Sequence, residues 1–144
     1  MSYDNPWLYN GQIFESDAIG DNYGFVYCIT DIKNNKKYIG KKFFLSSKTK
    51  QVKGKKKRYK AESDWKSYYG SSDEVKQMIA DNGKDNFKRE ILHLCVSKGV
   101  CNYMELREQV LRDVLLKPEE YYNAFVGGKI HRAHIKPLVD IKPE

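Results

Sequence analysis

Residues 24–40, Gly24-Phe25-Val26-Tyr27-Cys28-Ile29-Thr30-Asp31-Ile32-Lys33-Asn34-Asn35-Lys36-Lys37-Tyr38-Ile39-Gly40, decide the fold. Phe25 to Thr30 is rich in aromatic and β-branched residues, Asn34-Asn35 supplies a turn, and Lys37-Tyr38-Ile39 resumes the strand pattern. A β-hairpin is the most economical reading. Downstream, Ser71-Ser72-Asp73-Glu74 carries a Ser-x-x-Glu capping box. Val75, Met78 and Ile79 then give a helix one apolar face, and Asn82-Gly83 stops it. Phe87 to Cys95, with Ile91, Leu92 and Leu94, reads as a third strand. Asn102 with Glu105 repeats the capping pattern and predicts a helix from about Tyr103 to Leu116, ended by Pro118. The order strand, strand, helix, strand, helix predicts a small α/β domain of the α+β kind. Its centre is a three-stranded mixed or antiparallel sheet flanked by helices.

Outward from that centre the sequence is less regular. Residues 1–22 read as an irregular N-terminal arm anchored by Trp7, Tyr9 and Phe14, residues 23–125 as the domain, and residues 126–144 as a basic C-terminal tail. Within residues 48–60, eight of thirteen positions are Lys or Arg. Mutual repulsion and a lack of apolar anchors predict a mobile basic insertion loop there.

Composition narrows the partners. The 144 residues carry 26 Lys plus Arg against 19 Asp plus Glu, a net charge of +7. Such an excess favours polyanions. No apolar run approaches the roughly 20 residues that cross a bilayer, and the polar N-terminus lacks the apolar core of a signal peptide, so membrane and secreted settings are not expected. Three cysteines, an odd number, are too few for a disulfide scaffold and suit a reducing cytosol.

Tyr27 and Tyr38 stand on neighbouring strands, and Tyr38 leads directly into Ile39-Gly40. The hairpin closely resembles the catalytic hairpin of the GIY-YIG nuclease family. Phe25-Val26-Tyr27 occupies the place of the first motif, and Tyr38-Ile39-Gly40 is the second letter for letter. The first motif departs from the pattern, since Phe25 stands where its glycine is and Gly24 comes one residue earlier. Glu108 and Asn123 fit the family's helix-borne Glu and later Asn. Residues 63–72 and 86–92 further resemble free-standing, phage-type members related to homing endonucleases. The resemblance covers roughly residues 23–125.

That resemblance implies a DNA endonuclease acting in the cytoplasm of a bacterial or phage-infected cell. Phosphodiester hydrolysis needs an activated water, positive charge opposite the phosphorane, and help for the leaving oxygen. A carboxylate is the hard ligand that Mg²⁺ (or Mn²⁺) prefers, and Glu108 is expected to be that metal ligand. On a helix over 103–116 it lies beside Met104, Leu111 and Leu115, whereas Glu105 projects to solvent as a cap and Arg107 falls near the middle of the apolar stripe. Tyr27 is expected to orient or deprotonate the water and Tyr38 to hold the same water or a phosphate oxygen. Either role as base requires nearby cations to lower a phenol pKa.

Arg58, the one Arg between Tyr38 and Arg89, is expected to be the transition-state cation, with Lys41, Lys42 and Lys66 as substitutes. Asn123 is expected to hold backbone or metal shell. Lys41, Lys42, Lys53, Lys55, Lys56, Lys57, Lys66, His131 and Arg132 are the expected nucleic-acid contacts. A zinc site from Cys95, Cys101, His131 and His134 matches no standard spacing. The rival reading is a non-catalytic nucleic-acid-binding module on the same scaffold.

Overall fold

A computed structural model of the chain describes residues 3–127 together with Pro137. The central hairpin forms as the sequence predicts and extends further. Strand β3 is Gly24–Asp31 and β4 is Lys36–Phe43, after two short strands, β1 (Leu8–Tyr9) and β2 (Gln12–Ile13). Strand β7, Phe87–Cys95, pairs antiparallel with β3, so the sheet runs β2-β1-β7-β3-β4. β1 joins β7 in parallel, which makes the sheet mixed and five-stranded rather than three-stranded. The arm that reads as irregular therefore supplies two strands. Their two-residue length, too short for a period to show, hides them in the sequence.

Both faces of β3 are covered. Alternation sends Phe25, Tyr27 and Ile29 to one side, where Trp7, Phe44, Trp65, Phe87 and Ile91 complete a core. Val26 and Cys28 point the other way, into a second core with Ile39, Cys95, Val100, Cys101 and Val114. This double burial explains the unbroken apolar run from Phe25 to Ile29 in β3. Helix α1, Asp73–Asn82, starts from Ser72, whose side chain accepts from the Val75 N–H, and stops at Gly83.

Helix α2 corrects the sequence reading. It spans Lys98–Leu111 with Ser97 as its N-cap, not Asn102. The faces also differ from those expected: Arg107 is exposed, while Glu105 is half-buried. Asn102 and Glu105 thus lie inside the helix, and the apparent capping box is coincidental.

The basic segment is a second correction. Strands β5 (Leu45–Val52) and β6 (Lys55–Glu62) form a two-stranded antiparallel ribbon separate from the main sheet. Lys53 and Gly54 turn it with φ of 52° and 78°. Positive φ at both central positions gives the twist that a two-residue hairpin needs. Backbone pairing overrides the repulsion that argues for a loop.

Arg89 was not flagged by the sequence. It sits in β7 at 1% exposure, with its guanidinium 4.7 Å from the Trp7 ring centroid and 4.2 Å from that of Tyr69. Its N–H groups donate to the carbonyls of Asp4, Asn5, Lys66 and Tyr68. One side chain thereby fastens the N-terminal arm and the segment after β6 to the sheet.

Candidate active site

In the β3–β4 register Tyr27 stands opposite Gly40, and Tyr38 opposite Ile29. The two tyrosines therefore share a face and lie diagonally, with ring centroids 6.3 Å apart. A bulge in the pairing of β3 with β7 falls between Val26 and Tyr27, which re-aims the tyrosine beside the cleft. The Tyr27 ring passes over Gly40, where an added Cβ would lie 2.7 Å from its Cζ. Gly70, at φ +94°, closes over the same hydroxyl, and a Cβ there would sit 3.3 Å from it. Tyr68 packs edge-on against Tyr27 at 6.0 Å. The glycine after Tyr38-Ile39 is thus a steric requirement of the phenol opposite it.

Phe25 is fully buried in the core. Gly24 meets the close approach at the strand's start, because a Cβ there would lie 2.7 Å from the Lys42 carbonyl.

A cleft of about 500 Å³ opens at this point, with Tyr27, Tyr38, Tyr68, Lys41, Lys42 and Glu105 in its lining. Lys98, from the first turn of α2, lines it too. A second lobe of about 480 Å³ shares Tyr38, Lys41 and Glu105 and reaches Asn123. β4 is the edge strand of the sheet, so the cleft wraps that edge. Tyrosines enter from one face and α2 contributes Glu105 from the other.

Among the described residues, the acid that lines the lobe holding both tyrosines is Glu105 and not Glu108. The Glu105 carboxylate meets Lys41 Nζ at 3.1 Å, and both side chains are largely buried. Glu108, one turn further on, turns to β7. It accepts from Arg112 Nε at 2.8 Å and lies 2.7 Å from His93 Nε2. Burial pushes the Glu108 carboxyl up, but Arg112 and His93 outweigh it and hold it below the ordinary carboxylate range. Its stabilising effect is therefore present above its unfolded pKa, near 4.3, and lost as pH falls through the folded value. Glu108→Gln is expected to flatten the acid limb of a Tm-against-pH curve, read by thermal melts from pH 3 to 7.

Both phenol pKa values move opposite to the direction that base catalysis requires. Burial pushes Tyr27 well above its usual value, and Tyr68 and Tyr38 add to the shift. Burial also raises Tyr38, against the hydrogen bond with Ser71 at 3.3 Å. Two of the neighbouring cations are engaged elsewhere: Lys41 faces Glu105, and Lys42 meets Asp64 at 2.6 Å while lying 4.2 Å from the Tyr68 ring centroid. Both shifts favour the protonated phenol.

The other expected residues divide by position. Asn123 is buried and pairs with Ile39 in strand fashion, accepting from its N–H at 3.0 Å and donating to its carbonyl at 2.8 Å. Gln109 from α2 donates to the same carbonyl. Asn123 thus holds the backbone between Tyr38 and Gly40. Arg58 lies on β6 opposite Thr49 and does not line the cleft. Lys53, Lys55, Lys56 and Lys57 lie with it on the ribbon. Lys66 packs over the Tyr3 and Trp65 rings, away from the cleft. His131, Arg132 and His134 lie outside the described residues. Cys95 and Cys101 are buried free thiols, and among the described residues no group of three metal-ligating side chains occurs.

The chain matches the family model described as "Putative endonuclease segE, GIY-YIG domain" over residues 7–126. The chain belongs to the GIY-YIG endonuclease family. A curated relative from Enterobacteria phage T4, described as "Putative endonuclease segE", is 30% identical over 106 residues, 74% of this chain and 42% of the relative. The chain thus spans less than half the length of the curated relative it matches. No solved structure matches. GIY-YIG membership and the phage relative agree with a mixed sheet that carries both tyrosines on one hairpin. Among the described residues no helix is long and apolar enough to cross a membrane.

Proposed function

We propose that this GIY-YIG protein is a divalent-metal-assisted DNA endonuclease whose active site is the cleft around β4, with Glu105 in place of Glu108 as the carboxylate. One observation carries the reading: Tyr27, Tyr38, Lys41 and Glu105 converge on a single cleft. The donor set suits Mg²⁺ or Mn²⁺ held by one carboxylate, with water and substrate phosphate completing the shell. It does not suit a metal caged by protein alone. When bound, such an ion would supply positive charge at the phosphorane and acidify water.

The chain's own groups do the rest. Lys41, Lys42 and Lys98 draw the phosphate into the cleft. Tyr27 and Tyr38, as neutral phenols, donate hydrogen bonds that orient the attacking water or a phosphate oxygen rather than accept its proton. Among the described residues, the cations that line the site are lysines. Asn123 and Gln109 keep the Tyr38-Ile39-Gly40 backbone rigid beneath them.

Supercoiled plasmid incubated with the protein and Mg²⁺ or Mn²⁺ should be nicked or linearised, and a chelator should stop the reaction. Tyr27→Phe and Tyr38→Phe should each lower the rate by on the order of 10²-fold. Because the phenols stay protonated, the rate should show no tyrosine ionisation below about pH 10. Binding without cutting, across both metals, overturns the enzymatic reading in favour of a binding module.

A further inference from the structure

We propose that the β5–β6 ribbon is a duplex-reading arm that lies in the major groove of DNA and delivers it to the cleft. The proposal rests on the nuclease reading for the nature of the ligand and adds how that ligand is held. The first support is charge. Residues 45–62 carry eight basic side chains against one acid, Glu62, a surplus equal to the +7 of the whole chain. The remaining residues sum to zero.

The second support is that the ribbon lacks a structural reason of its own. Every residue from Lys53 to Lys60 is exposed, and the ribbon belongs to no other sheet. An isolated two-stranded hairpin is marginal in water. Here Lys50 lies directly opposite Lys57, which weakens it further. A polyanion would turn this self-repulsion into attraction. Eight residues per strand carry the ribbon roughly 25 Å from its base, and a two-stranded ribbon fits a major groove about 12 Å wide.

The third support is the distribution of side chains. Cross-strand partners share a face, so Thr49 with Arg58 and Gln51 with Lys56 lie on one side, and Lys50 with Lys57 lies on the other. Arg and Gln can hydrogen-bond two atoms of guanine and adenine respectively in the major groove. The opposite face offers lysines to the phosphate walls. Single-strand binding needs aromatic platforms, but the ribbon's one aromatic, Tyr59, is covered by Lys50 at 5.2 Å. The ribbon's base, through Leu45, Ser46 and Ser47, lines the catalytic cleft itself. DNA gripped by the arm is thereby placed beside Tyr27 and Glu105.

The test uses the full chain carrying Glu105→Gln, so that binding is read without cutting, with fluorescence anisotropy on a labelled duplex of about two helical turns. Methyl green, a major-groove ligand, should displace the protein, and netropsin, a minor-groove ligand, should not. A single strand of the same length should bind at least about tenfold more weakly. Adding Lys50→Gln with Lys57→Gln should lower the slope of log affinity against log salt by about 2. Arg58→Ala should narrow the spread of affinities across a pool of duplex sequences. A thermal midpoint equal to or above that of the parent shows that the lysine variants fold. Competition by netropsin alone, equal binding of the single strand, or an unchanged slope overturns the proposal. The plasmid assay on wild type separates the two readings. Cutting with an unchanged slope removes the ribbon's role alone, and groove competition without cutting removes the catalytic reading alone.

Discussion

Glu105→Gln is expected to lower plasmid cleavage by on the order of 10³-fold while leaving the fold in place. The size follows from position. Glu105 is the acid that lines the cleft with both tyrosines, and its amide isostere keeps the shape but removes the charge that would hold a divalent cation. Lys41, its partner at 3.1 Å, loses an ion pair, yet neither side chain is fully buried. The stability cost should therefore stay within about 1 kcal/mol. Glu108→Gln should give the reverse pattern. It weakens the contact with His93 that ties α2 to β7 and the one with Arg112 at the helix's own C-terminus, so a lower Tm with cutting largely retained is the expected result. Measured side by side on supercoiled plasmid and by thermal melting, the pair assigns the carboxylate. Full activity in Glu105→Gln with a silent Glu108→Gln would return the assignment to Glu108.

Arg89→Met is expected to be among the most destabilising single changes in the molecule. The guanidinium satisfies the carbonyls of Asp4, Asn5, Lys66 and Tyr68 from inside the core, so methionine leaves four acceptors in want of donors. Loss of such a buried, charge-assisted network costs about 3–5 kcal/mol, a Tm drop on the order of 10 °C for a chain of this size. Arg89→Lys should recover little, because an ammonium cannot fork to four carbonyls on two segments or stack between Trp7 and Tyr69. Activity should fall with it, since Tyr68, whose carbonyl Arg89 holds, leans on Tyr27. Calorimetry of both variants checks the order. A Tm within about 2 °C of wild type for Arg89→Met would refute the account.

What could be read from the sequence followed the strength of each local pattern. β7 came out at its observed bounds because Phe87 and Cys95 frame a continuous β-forming run, and the Tyr27–Tyr38 hairpin was clear for the same reason. Helix α2 was displaced because Asn102-x-x-Glu105 imitates a cap while Ser97, the real one, has no Glu three residues later. The same imitation made Glu105 read as a solvent-facing cap, whereas its side chain lines the cleft. The ribbon was hidden because Lys reads as a solvated loop residue, and only the pairing of two such runs around Lys53-Gly54 makes them strands. Arg89 was hidden because its partners are backbone carbonyls, which a sequence does not distinguish. Asn123 is the converse case: the family resemblance marked it, and geometry shows that it holds the Ile39 backbone.

The location of the charge has one more consequence. Outside residues 45–62 the charges of the chain sum to zero, so its whole positive surplus lies on one thin lever. A molecule so polarised experiences a torque as it nears a phosphate chain and turns lever-first before contact. Random collisions are thereby sorted into aligned ones, and the sorting fades once ions shorten the reach of the field to less than the lever's own length.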